Sequence, residues 1–496
     1  MAKKLLDTIK FLLRLISCVS ICLLVVIVFM QVINRNFFDH DPQRGNPLET
    51  APIPTLLLRY SVPTALTLMV NFLYNIVDQI FIGRGVGISG MTATNIAFPL
   101  VILVGAVSLL LGDGCAAYVS LALGRRQQAE ADAAVGQTVT LLLVSGIVLA
   151  ALSALLAPQL VWLLGTTETA YAQSVAYLRT ISVGIPFQLL CPALTAIVRA
   201  DGSPQYTMRC MLAGALLNVA LDALFIFPLA MGVVGAGIAT VIGEAVSALL
   251  FLRYLPHMKT VQVRRENLRP AAARTGRILA LGLPSLLTQM MTAAVQIVMN
   301  NLMRKYGAAT IYGSDIALSV YGMMLKIYQI AHAMFVGVSS ATQPINGFNF
   351  GAQHYDRVYR TYRLATRAAL VISMGWFAVF MLLPRQIGML FAPDNLLYLD
   401  CTAHCFRRYM LTFFLYGAHM TTASFLQGIG KPSRSVLIPL ARQGLFLIPL
   451  AFVLSARFGL DGALFAVPIA DTMAFLLSMA LAAAEFRAWR GKDWLA

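Results

Sequence analysis

The stretch MTATNIAFPLVILVGAVSLLLGDGCAAYVSLALGRR, residues 91–126, decides the fold. Up to residue 124 it offers a single charged side chain, Asp113, and then Arg125 and Arg126 end it. A hydrocarbon layer ~30 Å thick is crossed by about 20 apolar residues in a helix. The run is therefore a membrane span with length to spare for tilt or extension beyond the bilayer.

Comparable runs fill the chain. Spans are expected near 53–82, 91–123, 133–157, 170–198, 205–229, 233–254, 277–303, 310–350, 364–383, 405–428, 435–456 and 460–484. Of the 496 residues, 59% are hydrophobic and 12% charged, with a mean hydropathy of +0.76, which leaves no room for a sizeable soluble domain. The net charge of +16 sits in the short gaps between spans and not in a basic stripe with interleaved aromatics, so it reads as topology and excludes nucleic acid as a partner. Alternate gaps hold 21 and seven Lys and Arg residues, with Arg442 counted in the richer set. That bias fits twelve spans with the C-terminus in the cytoplasm.

One segment stands apart. Residues 11–33 form a further apolar run behind Lys3, Lys4 and Lys10, with no small-residue cleavage signal after it. It is compatible with an interfacial helix, an extra span or a mis-started reading frame, and residues 1–45 are expected to be dispensable. The seven cysteines lack metal-ligand spacing and are expected to be free thiols.

The two halves repeat each other. Pro63 matches Pro284, RADGSP (199–204) matches QGIGKP (427–432), and MGVVGAG (231–237) matches FGLDGAL (458–464), which brings Glu244 onto Asp471. Such symmetry is common in secondary transporters, whose sites lie near the repeat interface. The expected fold is all-α and integral to the membrane, with twelve helices in two pseudo-symmetric lobes. The expected divisions are an N-terminal segment 1–52, a first lobe 53–255, a linker 256–276, a second lobe 277–486 and a tail 487–496.

Charged groups inside spans cost roughly 2.5–3.5 kcal/mol each on insertion scales and usually face a cavity or another helix. Asn71, Asn75 and Asp78 share one helical face, as do Asn218 with Asp222 and Thr240 with Glu244. Carboxylates beside neutral oxygens can hold a small hard cation or share a proton. The plainer alternative is a set of interhelical hydrogen bonds that only fasten the bundle. Asp113, Gln289, Gln296, Lys326 and Asp471 are further cavity candidates, with Arg179 and Lys326 read as the only cations well inside spans. His332 titrates in a useful range, although a lone histidine usually packs. Seven of 22 methionines (Met290, Met291, Met299, Met303, Met323, Met324 and Met334) crowd the seventh and eighth spans, which suits either a surface that accepts many shapes or plain apolar filling.

At these positions the sequence resembles a known family. NIVDQIFIGRGVG (75–87), RADGSP, NVALD (218–222), GVVGAGIAT (232–240) and QPINGFNFGAQHYDRV (343–358) are similar to the multidrug and toxic compound extrusion family, in its bacterial drug-exporting branch, over residues 53–486. The resemblance implies a proton or sodium site in the first lobe, with Asp78, Asn218, Asp222 and Thr240 at the matching positions. It also marks departures. The seventh and tenth helices lack the acids that some members use for a second-lobe cation site, and the fourth lacks an asparagine, for which Gln188 can substitute.

The expected function is export of organic compounds, chiefly amphipathic cations, in exchange for H+ or Na+ by alternating access, with no cofactor or structural metal beyond that ion. The setting would be a bacterial inner membrane, with lipid around the chain, small organic molecules as substrates and a monomer as the working unit. A flippase for lipid-linked oligosaccharides or cell-wall precursors is the rival, but a large anionic headgroup would call for cavity cations. An intramembrane enzyme is disfavoured because no metal or nucleophile constellation is present.

Overall fold

The computed structural model describes residues 47–164, 168–389 and 395–489, and the apolar run at 11–33 lies outside them. The described residues are helical almost throughout. The first six long helices are α1 (Ile53–Gly85), α2 (Ile88–Gly124), α3 (Gln128–Leu155), α4 (Glu168–Ala200), α5 (Pro204–Ile226) and α6 (Gly232–Tyr254). Then follow α7 (Ala272–Gly307), α8 (Gly313–Gly351), α9 (Tyr355–Leu382), α10 (Leu396–Tyr409) and α11 (Tyr416–Gly428). Last come α12 (Pro432–Pro439), a π-helical stretch (Leu440–Leu447) and α13 (Ile448–Trp489).

Twelve crossings result. The tenth span is broken, because α10 and α11 are joined by a 3-10 turn at Phe413–Leu415. The eleventh and twelfth are two helices parted at Gly459, whose φ of 60° and ψ of −133° no ordinary helical residue adopts.

The repeat read in sequence is written into the backbone. Positive φ occurs at Gly87 and Gly313, at Arg126 and Gln353, at Gly202 and Gly430, and at Gly232 and Gly459, each pair 226 to 228 residues apart. RADGSP and QGIGKP make the same turn. Ser203 N–H bonds the Val198 carbonyl and Lys431 N–H the Leu426 carbonyl, which closes each preceding helix. Pro204 and Pro432 then open the next helix, where a missing N–H costs nothing.

Helices α1–α6 pack on one another, as do α7–α13, and the halves meet through α2 against α7 and through α1 and α2 against α8. The closest approaches use glycine. A Cβ on Gly282 would stand 1.7 Å from the Leu110 carbonyl oxygen, and one on Gly114 2.1 Å from that of Ile278. Gly124 and Gly351 press in the same way on the Phe348 and Leu121 carbonyls. All of these contacts lie in the halves of α2, α7 and α8 nearest the arginine-rich gaps, so the lobes are sealed on that side.

Candidate functional site

Two carboxyl groups that are far apart in sequence come together inside the first lobe. Asp78 of α1 and Asp222 of α5 are 9% and 0% exposed, and their carboxyls stand within hydrogen-bond reach of each other. Each sits on the polar face of an otherwise apolar helix, so packing α1 against α5 makes the two faces meet. Asn218, one turn before Asp222, completes the pocket. With its amide oriented to satisfy both ends, it donates to Asp222 Oδ2 at 3.3 Å and accepts the Thr240 N–H at 3.1 Å. Thr240 Oγ1 donates to the Ala236 carbonyl at 3.0 Å.

The four residues expected to act together are thus brought together. Gln79 bonds Asp78 and reaches Thr94 Oγ1 at 3.3 Å. Asp78 Oδ1 and Asp222 Oδ1 are buried without a hydrogen-bond partner among the described residues. Orphaned oxygens of this kind suit a proton or a small hard cation, which would satisfy them.

Glu244, one turn beyond Thr240, faces the same pocket across Tyr74 and Tyr177. Neither tyrosine was marked by the sequence. No lysine or arginine acts on Asp78, Asp222 or Glu244 among the described residues. Asn75 donates to Asn71 Oδ1 at 3.1 Å and also bonds Tyr74, which places the asparagine ladder at the edge of the pocket. Gln188 is half-buried on α4.

The remaining candidates lie elsewhere. Asp113 is no part of this pocket. It lies at the lobe seam, where Ser285 of α7 donates to its Oδ2 at 2.7 Å, Arg199 stands 3.7 Å away, and Gln343 of α8 donates to its backbone carbonyl at 3.1 Å. Gln289 and Gln296 are half-buried on α7, and Lys326 is exposed on α8. Arg179 and Lys326, read as cations well inside spans, lie within α4 and α8, where both are exposed. The buried cation of the second lobe is instead Arg442, which had been counted with the gaps, and it pairs with Asp471. Four of the seven crowded methionines, Met299, Met303, Met323 and Met324, are filling in the second-lobe core.

The MatE family profile matches residues 63–224 and 284–453, one segment in each half and together two thirds of the chain. The chain belongs to the MatE family. A bacterial MATE protein, the multidrug export protein MepA of Staphylococcus haemolyticus, is 25% identical over 432 residues, covering 87% of this chain and 93% of its own. MepA of Staphylococcus aureus is 24% identical with similar coverage. Among solved structures, the MATE multidrug transporter DinF-BH is 33% identical, with a TM-score of 0.82 over 90% of this chain and 98% of its own. A MOP superfamily transporter from Pyrococcus furiosus, 22% identical with a TM-score of 0.84, shares the fold.

Proposed function

We propose that this chain is a secondary active multidrug exporter that exchanges H+ or Na+ for organic cations across a bacterial cytoplasmic membrane. The observation that carries the reading is the buried Asp78–Asp222 pair, set in a pocket without any compensating cation among the described residues. Two carboxylates at hydrogen-bond distance do not stay doubly charged in such surroundings; they share a proton or close on a cation. A site of this type lets ion occupancy and substrate occupancy exclude each other, which is the requirement for exchange.

The lobes 53–255 and 277–486, joined by the linker 256–276, would rock as bodies about the glycine seam. In the state described, the lobes are packed together on the arginine-rich side. Relatives named as multidrug exporters support drug export as the activity.

Efflux of ethidium from proteoliposomes under separately imposed proton and sodium gradients tests the proposal. Export driven by one of the two gradients is expected. Export confined to anionic or lipid-linked compounds would hand the assignment to a flippase.

A further inference from the structure

The second lobe contains a buried charge pair for which the exchange reading has no use. Arg442 and Asp471 are 9% and 3% exposed, and Arg442 Nε donates to Asp471 Oδ1 at 2.6 Å. The guanidinium lies over the Tyr416 ring, 5.1 Å from its centroid. Facing it are Tyr328 and His332 of α8, Tyr409 of α10 and His419 of α11. Tyr328 donates to the Tyr416 hydroxyl at 2.5 Å, and that hydroxyl in turn bonds His332 Nδ1 at 3.2 Å. Neither histidine has an acid beside it, so Asp471 is the only carboxylate acting on this cluster among the described residues.

The backbone is shaped to deliver the arginine. Leu440–Leu447 is π-helical, a form that is rare, costly and concentrated at functional positions. The internal repeat then gives the pair a meaning. At the offset of 227 that sets Asp471 on Glu244, Arg442 falls on Ala215, three residues before Asn218 and seven before Asp222. The two lobes thus build equivalent pockets with opposite contents. Among the described residues, the first has three acids and no cation acting on them. The second has one acid and a cation that is part of the chain.

We propose that Arg442 is a tethered counter-ion, filling in the second lobe the place that a mobile cation or proton takes in the first, so that only the first lobe exchanges ions. The proposal rests on the coupling role given to Asp78 and Asp222. A guanidinium tethered covalently to the chain through its own side chain cannot leave when the lobes rock. Asp471 therefore stays balanced throughout the cycle, and the second lobe binds and releases no ion. Burying a matched pair is close to neutral compared with an apolar pair of similar volume, whereas removing one partner strands a charge. Taking away the arginine alone should turn Asp471 into a new ion site.

The test compares wild type, Arg442→Met, Arg442→Met/Asp471→Asn and Asp471→Asn. Sodium-22 binding and proton uptake are measured on each purified protein in detergent, and ethidium efflux under a gradient on each in proteoliposomes. Arg442→Met should bind one ion more per chain than wild type, and adding Asp471→Asn should abolish that gain. The double variant should export ethidium within about twofold of wild type. The proposal is overturned if Arg442→Met folds and gains no ion, or if Asp471→Asn loses an ion that wild type holds. It is also overturned if the double variant folds and binds ethidium but no longer couples. Should Arg442→Met fail to fold, the double variant alone decides. The ion counts need no transport, so a wild type that bound ions but exported nothing would count against the exchange reading and leave this one standing.

Discussion

Ser285 and Asp113 join the lobes by a hydrogen bond of 2.7 Å, reaching from α7 to α2 on the side where the basic loops gather. Gln427 extends the link, donating to the Ser285 hydroxyl at 3.2 Å and to the Leu281 carbonyl at 2.8 Å. Interhelical hydrogen bonds inside membranes average about 0.6 kcal/mol and reach about 1.7. A bond near the upper end biases the two facing states by roughly tenfold. Ser285→Ala should therefore expose the seam, raising the labelling rate of a reporter cysteine placed on its cytoplasmic side about three- to tenfold while Asp78 and Asp222 are untouched. An unchanged rate would show that the bond does not hold the seal.

Gly282→Ala should act more severely. Its Cβ would meet the Leu110 carbonyl at 1.7 Å, and backbone on both sides cannot yield without separating the helices. Gly276 is the control, because a Cβ there meets nothing within 4 Å. Gradient-driven efflux is expected to drop at least tenfold in Gly282→Ala and to stay normal in Gly276→Ala, with both proteins inserted at wild-type level. Equal activity of the two variants would remove α2 and α7 from the moving interface.

Asp78→Asn and Asp222→Asn keep shape while removing a titrating group from the pair. Each should abolish coupled efflux and leave much of the ethidium binding, and the double variant should be hardly worse than either single, since groups acting as one unit are not additive. Additive losses would mean two independent sites.

Residues 48–51 are anchored by hydrogen bonds from α8 and α9, and the segment before them is predicted to be dispensable. Arg357 donates to the carbonyls of Leu48 at 3.2 Å and Ala51 at 2.8 Å, and Asn349 donates to that of Leu48 at 3.0 Å. Deleting residues 1–45 should leave export intact, whereas deleting through 52 removes two carbonyl acceptors and the three hydrogen bonds they receive from α8 and α9, and should lower thermal stability measurably. Identical melting of the two truncated proteins would contradict this.

Much of the architecture was readable because membrane spans announce themselves by length, and the turns of the two halves use the same residues. Asp78, Asn218, Asp222 and Thr240 stood out by spacing as polar groups within apolar runs, and the family resemblance joined them into one site. Arg442 was not. KPSRSVLIPLARQ looks like a basic gap followed by a new span, and nothing in it signals that a π-helical stretch carries the arginine inward. Asp113 misled for the opposite reason. Its spacing marks it as buried, but whether a buried acid faces a pocket or a neighbouring lobe depends on how α2 and α7 dock, which no local pattern encodes. The break between α10 and α11 was hidden too, because Arg407 and Arg408 sit on a helix that the charge pattern assigned to a gap.

The seal between the lobes is main chain against main chain, glycine facing carbonyl at Gly114, Gly282, Gly124 and Gly351. Such a closure rests mainly on backbone, with the Ser285–Asp113 bond beside it. Residues that line the route of an exported compound can be exchanged, enlarged or recharged under selection by a new toxin without loosening the barrier that prevents leakage. The chemistry a cell can evict is thereby separated from the watertightness of its membrane, and a lineage can broaden the one without risking the other.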